Sequence, residues 1–400
     1  MLVFIISICF LIVLNIPYIH SSAEGKEPVG EELRIGVLGV FSGHAAAWGL
    51  TSKYTAMVQT KRINQRGGFL LNGVRHPIKL FIEDSKFDVK VTRAAAEKLI
   101  YQNKVKYIIG PNTSPTGAAV SSVGEPAKVI NIGYGFTVSL YTPEHPYTIM
   151  GMVTPDQSAP VIYKYLMDTH NVKSISLVAK NYAGSLNTRK SALKAANALG
   201  LKVVSAKETY EPDATDFFPV MSKVVKGKPD VIDLTAAGAG DAAQAVKAAR
   251  QLGFKGVICM ETVADAQTFN EIAGKYAEGL ICVASPVMPE IRTQQMEAFM
   301  EEYKKEVGEW NDEAGTKVYA LDMILETIKA AGEPALTDTD AFRAAMPKVG
   351  YKSPYLKGNP IIKYAGKKIY GHNQQIGVPV VIAQMKNGKP NAVVVKSLGE

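Results

Sequence analysis

From Leu33 onward the chain alternates short apolar runs with longer amphipathic ones, and about 140 residues later the alternation begins again. "LRIGVLGVF", "IKLFIED" and "KYIIG" read as strands, with the helices "TSKYTAMVQTKRINQ" and "VKVTRAAAEKLIYQ" between them. Runs that are apolar on both faces need cover on both, so the pattern predicts a parallel sheet flanked by helices. "KSISLVA", "KVVSAKETY" and "PDVIDLT", with the helices "SLNTRKSALKAANALG", "TDFFPVMSKVVK" and "GDAAQAVKAARQLG", repeat that order, Arg34 and Ser174 opening the two first strands 140 residues apart. The order recurs and the residues do not. The expectation is two similar α/β lobes, each with loops at the carboxyl ends of its strands, where open sheets bind ligands. A site between the lobes draws on both sets of loops. From Ser285 helices dominate, in "RTQQMEAFMEEYKKEV" and "AGTKVYALDMILETIKAAG", and the chain closes on a hairpin around Asn387-Gly388.

Four hundred residues, 47% of them hydrophobic, are enough for two such lobes. The formal charge of +8 raises the question of a nucleic-acid partner. Its lysines are scattered, as at Lys104, Lys106, Lys223, Lys226, Lys228, Lys367 and Lys368, with no arginine-rich strip interleaved with aromatics. That is a solvated basic surface, and a nucleic-acid site is set aside. The opening "MLVFIISICFLIVLNIPYIHSSA" carries an apolar run to Ile16, then Pro17, then small residues at Ser21 and Ala23. It reads as a secretory signal, residues 1–23, cleaved near Ala23, which addresses the chain to the periplasm. No Lys or Arg precedes the apolar run, so an uncleaved anchor is the alternative. Beyond it only Cys259 and Cys282 remain, each third after a glycine in "GVICM" and "GLICV". Two buried free thiols are the favoured reading and a disulfide the other, because parallel neighbours seldom give the side-chain vectors a bridge needs.

One stretch points to a ligand. "KYIIGPNTSPTGAAVSS", Lys106 to Ser122, is a strand, a polar loop and a small-residue helix, an order that aims free backbone N–H groups and the positive helix end at one point. A nucleotide loop needs Gly-Lys-Ser/Thr, and here Ala118 and Ala119 follow Gly117. What remains is a carboxylate cradle with Thr113, Ser114 and Thr116 as hydroxyl donors, beside the plain alternative of a helix start that holds nothing. "GAGDAA", Gly238 to Ala243, fits the glycine pattern of a dinucleotide site, with Glu261 about twenty residues on, and keeps an NAD-dependent dehydrogenase as a remote alternative. Against it, Asp241 sets a negative charge where a pyrophosphate would lie. Glu261, directly after apolar "GVICM", reads either as a solvated acid or as the counter-charge for a ligand ammonium. The six histidines lack metal spacing, neither cysteine sits in a CxxC pair, and no Gly-x-Ser-x-Gly elbow occurs. The expectation is a binding protein with no catalytic centre, metal or cofactor.

At "IGVLGVFSGHAAAWGL", with "INQRGG" after the first helix and "IGPNTSPTG" after the third strand, the chain resembles the leucine/isoleucine/valine-binding branch of the ABC-importer solute-binding proteins. "NYAGS", "AARQLGFKG" and "NEIAGKYAEGL" extend the likeness from about Leu33 to Val395. The resemblance implies a type I periplasmic binding fold: two Rossmann-like α/β lobes joined by a three-crossover hinge and closing on a ligand. It places residues 32–151 and 284–360 in lobe 1, and 152–283 and 361–400 in lobe 2. By the same resemblance Ser114, Gly135 and Thr137 hold the ligand carboxylate, Trp48 packs on the ligand side chain, and Glu261 holds the α-amino group. Three departures stand out: Ala183 precedes the glycine of "YAG" with Tyr182 one position earlier, Gly238 stands where relatives carry a tyrosine for the amine, and "GYGF" replaces a small-residue segment. The implied function is capture of a branched-chain amino acid or related small carboxylate for a membrane permease, by a monomer. The open alternatives are an aromatic carboxylate as ligand and a sensor that feeds a receptor.

Overall fold

The computed structural model describes residues 27–43, 45–285 and 287–396. The signal segment proposed for residues 1–23 lies outside the described residues. The chain runs through β1 (Leu33–Gly39), α1 (Ala46–Gln65), the hairpin β2 (Phe69–Leu71) and β3 (Val74–His76), β4 (Ile78–Asp84), α2 (Val89–Glu97), β5 (Tyr107–Ile109), α3 (Ser114–Gly124), β6 (Ile130–Gly133) and β7 (Thr148–Met150). It then builds a second unit from α4 (Pro155–His170), β8 (Ser174–Lys180), α5 (Ala183–Ala198), β9 (Lys202–Tyr210), α6 (Phe218–Lys226), β10 (Val231–Thr235), α7 (Ala239–Gln251), β11 (Val257–Val263), α8 (Ala266–Ile272) and β12 (Ile281–Ala284). It returns through α9 (Gln294–Val307), α10 (Tyr319–Ala331), α11 (Thr339–Ala345), β13 (Gly350–Lys352), β14 (Ile361–Ala365), α12 (Lys367–Tyr370) and β15 (Gln375–Ile376), and ends in the hairpin β16 (Val380–Lys386) and β17 (Lys389–Lys396).

Two sheets carry this order: β13-β14-β15-β7-β6-β5-β1-β4 and β17-β16-β12-β11-β10-β8-β9. Each has a parallel centre, with β1 between β4 and β5, and β8 between β9 and β10. The strands at those centres are buried on both faces: all of β1 but Arg34, and all of β8 but the half-buried Ser174. That is the continuous apolar run of a covered parallel sheet. Strand order reverses at β1/β5 in one sheet and at β8/β10 in the other, and a crevice opens at such switch points. The two crevices face each other.

The chain crosses between lobes three times: at 151–154 between β7 and α4, at 285–293 between β12 and α9, and at 377–379 between β15 and β16. The third crossing corrects one boundary. Residues 361–376 pair with the first sheet, β14 against β13 and β15, and Gln375 opposite Met150, so only the chain from Val380 onward joins the second. An apolar run such as "IIKYA" suits either sheet, and the short connection from β13 decides which. Helix α1 begins at Ala46, ahead of the expected Thr51, which puts Trp48 on its first turn. Cys259 lies opposite Ile281, and Met260 opposite Cys282, so the two cysteines sit one register position apart and point to opposite faces of the sheet. Both are buried free thiols.

Candidate functional site

Four connections meet where the crevices face each other. From the first lobe come the turn after β1, bearing Trp48, and the loop after β5, bearing Asn112, Thr113 and Ser114; from the second come the turn after β8, bearing Tyr182 and Gly184, and that after β10, bearing Ala236. Tyr134, Gly135 and Phe136 after β6, Met152 on the first crossing, Thr262 on β11, and Glu313 and Lys317 before α10 complete the wall. In this closed form it encloses a cavity of about 30 Å³, room for one or two water molecules, so anything larger enters with the lobes parted.

The donor end of this pocket is α3. Its cap Thr113 is extended and does not cap the helix with its side chain, because the Thr113 and Thr116 hydroxyls bond each other at 2.8 Å. The start of the helix therefore stands uncapped by any side chain where Thr113 and Ser114 line the cleft, and a helix start favours negative charge. Ser114 Oγ accepts from Thr137 N at 3.2 Å, and the Tyr141 hydroxyl donates to Gly135 O at 2.8 Å, which ties the loop after β6 to the helix start. The approach is tight: a Cβ on Gly135 would stand 2.8 Å from Ser114 Cα and N. Two buried polar atoms of this wall, the Tyr134 hydroxyl and Asn112 Oδ1, have no hydrogen-bond partner. In a closed protein interior such atoms are costly unless something satisfies them.

The lobes are closed on each other. Asn187 Nδ2 of α5 donates to Thr137 Oγ1 at 3.1 Å, Ala266 N to Asp312 Oδ2 at 3.4 Å, and Asp312 N to Asp265 Oδ1 at 3.3 Å. Gly238 meets the indole of Trp48, whose Cζ2 would lie 3.4 Å from a Cβ there. Outside that contact lies a wider mouth where Lys180 Nζ meets Asp241 Oδ2 at 2.8 Å. Trp48 therefore fills the place a pyrophosphate would take over "GAGDAA", and Asp241 is committed to Lys180.

Of the residues singled out from sequence, Trp48, Ser114, Gly135 and Tyr182 line the inner pocket, and Gly238 lines the mouth. Thr137 does not line the inner pocket; its hydroxyl is the acceptor of the closure bond from Asn187. Glu261 is displaced from its expected role. It is 2% exposed and sits behind the wall formed by Ala236 and Thr262, where its Oε2 accepts from Ala236 N at 3.4 Å. Its carboxyl faces that of Asp233, which also accepts from the Tyr163 hydroxyl. Burial pushes Asp233 up to about 6 against the pull of those hydrogen bonds, and burial plus the Asp233 charge push Glu261 well above the usual carboxylate range. Asp233 Oδ1 and Glu261 Oε1 have no hydrogen-bond partner, and both carboxyls lie behind the wall rather than in the inner pocket. The reason lies in β11, whose register with β12 shifts between Met260 and Val263, so the face that Glu261 adopts is not countable along the strand.

Sequence reasoning also passed over two charged residues that do face the cleft. Glu313 lies in a short 3₁₀ turn, Asp312–Thr316, and Lys317 directly follows it, and their i, i+4 spacing reads as an ordinary solvated pair. In the folded chain Lys317 is 3% exposed, its ammonium 2.8 Å from Glu313 Oε1 and 4.2 Å above the ring of Tyr134.

The family model of the periplasmic binding proteins matches residues 32–390. The Leu/Ile/Val-binding protein homolog 4 of Brucella melitensis is 24% identical over 340 residues, 81% of this chain and 79% of that protein. Two solved structures share the fold: the branched-chain amino acid transporter substrate-binding protein LivJ of Streptococcus pneumoniae, in complex with isoleucine, at a TM-score of 0.76, 20% identity and coverage of 92% of this chain and 99% of that one; and a solute-binding protein of an ABC transporter from Rhodopseudomonas palustris, in complex with 3,4-dihydroxybenzoic acid, at 0.74, 21%, 92% and 96%.

Proposed function

Because the chain belongs to the periplasmic binding protein family, we propose that it captures a small aromatic carboxylate between its two lobes and delivers it to the membrane permease of an ABC importer. The observation that carries this reading is the lining. Trp48, Tyr134, Phe136 and Tyr182 surround the space with rings, while Ser114, Thr113 and the start of α3 supply donors for an anion. The one acid in that lining, Glu313, is paired with Lys317. Glu261, the residue that would answer an α-amino group, is buried behind the wall, with its carboxyl held above the ordinary range. Rings prefer offset or edge contacts with other rings, which gives a planar ligand its orientation, and the α3 donors give it polarity.

Of the two ligands held by the structural relatives, 3,4-dihydroxybenzoic acid is the closer match to such a lining. A branched-chain amino acid is the second reading, favoured by Glu313, an acid in the cleft wall. Closure about the three crossings, held by Asn187 to Thr137 on one side and Asp265 to Asp312 on the other, would present the permease with a form distinct from the open one.

Thermal shift and calorimetric titration of the chain from Glu24 with benzoate, 4-hydroxybenzoate, leucine, isoleucine and phenylalanine test the assignment, since a ligand bound only by the folded state raises the melting temperature. Shifts with the benzoates and none with the aliphatic amino acids are expected. Micromolar leucine binding without response to benzoates would replace the aromatic reading with the amino-acid one.

A further inference from the structure

We infer that Lys317 is the direct counter-charge of the bound carboxylate, so that the cleft selects an anion over its neutral amide. The inference rests on the carboxylate reading above, but it concerns a residue that neither the sequence motifs nor the α3 cradle includes. It comes from counting donors. An ammonium has three N–H groups, and burying it is costly unless they are used. Lys317 Nζ has one oxygen partner, Glu313 Oε1 at 2.8 Å, and otherwise meets the thioether of Met152, with Sδ at 3.8 Å, and the face of the Tyr134 ring at 4.2 Å. Sulfur is a weak acceptor and a ring face a diffuse one. The remaining donor capacity belongs to a group that lines the inner pocket.

Neighbouring atoms point the same way. The Tyr134 hydroxyl, on the ring beneath the ammonium, has no hydrogen-bond partner, so the same wall holds a second unused polar group. Lys180, the other cleft lysine, differs: it lies in the outer mouth, and its partner Asp241 also accepts from the Tyr210 hydroxyl at 3.4 Å. Glu313 keeps Lys317 in place when the cleft is empty, holding the ammonium at the wall through a four-residue separation. An arriving carboxylate takes the spare N–H while the Glu313 bond persists. A neutral ligand of the same shape leaves that N–H unused and gains nothing from it.

The test compares benzoate with benzamide on the full chain from Glu24. Lys317→Met alone would leave the Glu313 carboxylate without its cation, so the informative variant is the pair Lys317→Met with Glu313→Gln, which removes both charges and keeps the side-chain volumes. Wild type is expected to bind benzoate and to bind benzamide at least roughly 30-fold more weakly, the loss of one charged hydrogen bond. The double variant should lose roughly that factor for benzoate, with benzamide little changed, and keep its far-ultraviolet dichroism. A folded double variant whose benzoate-to-benzamide ratio equals that of wild type overturns the inference. If wild type binds leucine and no benzoate, the aromatic reading fails separately, and leucine against leucinamide then tests Lys317 by the same ratio. Binding of neither acid at millimolar concentration overturns both.

Discussion

Glu261→Gln separates a buried structural acid from a ligand-binding one, and its effect can be worked from the geometry. The folded chain holds a proton on the Glu261–Asp233 pair at a pH where both acids of the unfolded chain have lost theirs, because burial raises both carboxyls and Asp233 raises Glu261 further. Their folded values lie above their unfolded ones, so the stability they contribute is fully present in acid and is lost as the pH rises toward the folded values. One excess proton in the folded state corresponds to about 1.4 kcal/mol of stability lost per pH unit. Over the pH range in which Glu261 keeps that proton and the unfolded chain does not, the wild type should therefore lose about 1.4 kcal/mol per pH unit that the variant keeps, since glutamine carries no titrating proton. Urea unfolding followed by tryptophan fluorescence at several pH values reads this as diverging stability curves, the variant flatter. Benzoate affinity should change by less than about threefold, because Glu261 lies behind Ala236 and Thr262. Parallel curves would refute the raised Glu261 carboxyl, and a loss of ligand affinity beyond about 100-fold would return Glu261 to the binding wall.

Other substitutions probe the walls of the cleft. Gly135→Ala drives a Cβ to 2.8 Å from backbone atoms of Ser114, which cannot move without disturbing the start of α3; a stability loss of about 1–3 kcal/mol by urea midpoint and a weaker ligand are expected. Gly238→Leu extends a side chain into Trp48 across the mouth, and should weaken binding at least about tenfold while increasing the radius of gyration of the liganded protein in small-angle scattering. Asn187→Ala removes the bond to Thr137, worth about 1 kcal/mol, and should raise the ligand off-rate about fivefold in stopped-flow measurements with little change in melting temperature. Cys259 and Cys282 are buried, and burial pushes the Cys282 thiol up to about 12, so neither should react with a thiol reagent until the chain is unfolded, when both should.

The legibility of the site follows from how local each part is. The α3 cradle could be read because Pro111 to Gly117 is one connection, its chemistry set by residues adjacent in the chain. Trp48 came from the family resemblance and Tyr182 from its place beside the glycine of "YAG"; the fold sets them at the starts of α1 and α5. Glu261 could not be placed, since a register shift within β11 sets which way its carboxyl turns, and that shift arises from pairing with β12. Lys317 and Glu313 were hidden for a different reason: i, i+4 charges look alike whether they face water or a cleft, and only the packing of Tyr134 and Met152 over the lysine distinguishes the two. The lobe to which residues 361–376 belong was likewise set by strand pairing.

The sequence by itself determined two parallel-sheet lobes, the loops at the carboxyl ends of their strands, and the start of α3 among those loops, because hydrophobic period, turn residues and helix polarity act over a few neighbouring residues. Tertiary structure alone decided which charges enter the cleft, which acids are buried behind its wall, and where the last strands join. These depend on contacts between segments as distant as Trp48 and Gly238, or Tyr134 and Lys317. Such contacts exist only once two sheets have set their switch points face to face, and no local pattern records the face a side chain will then present.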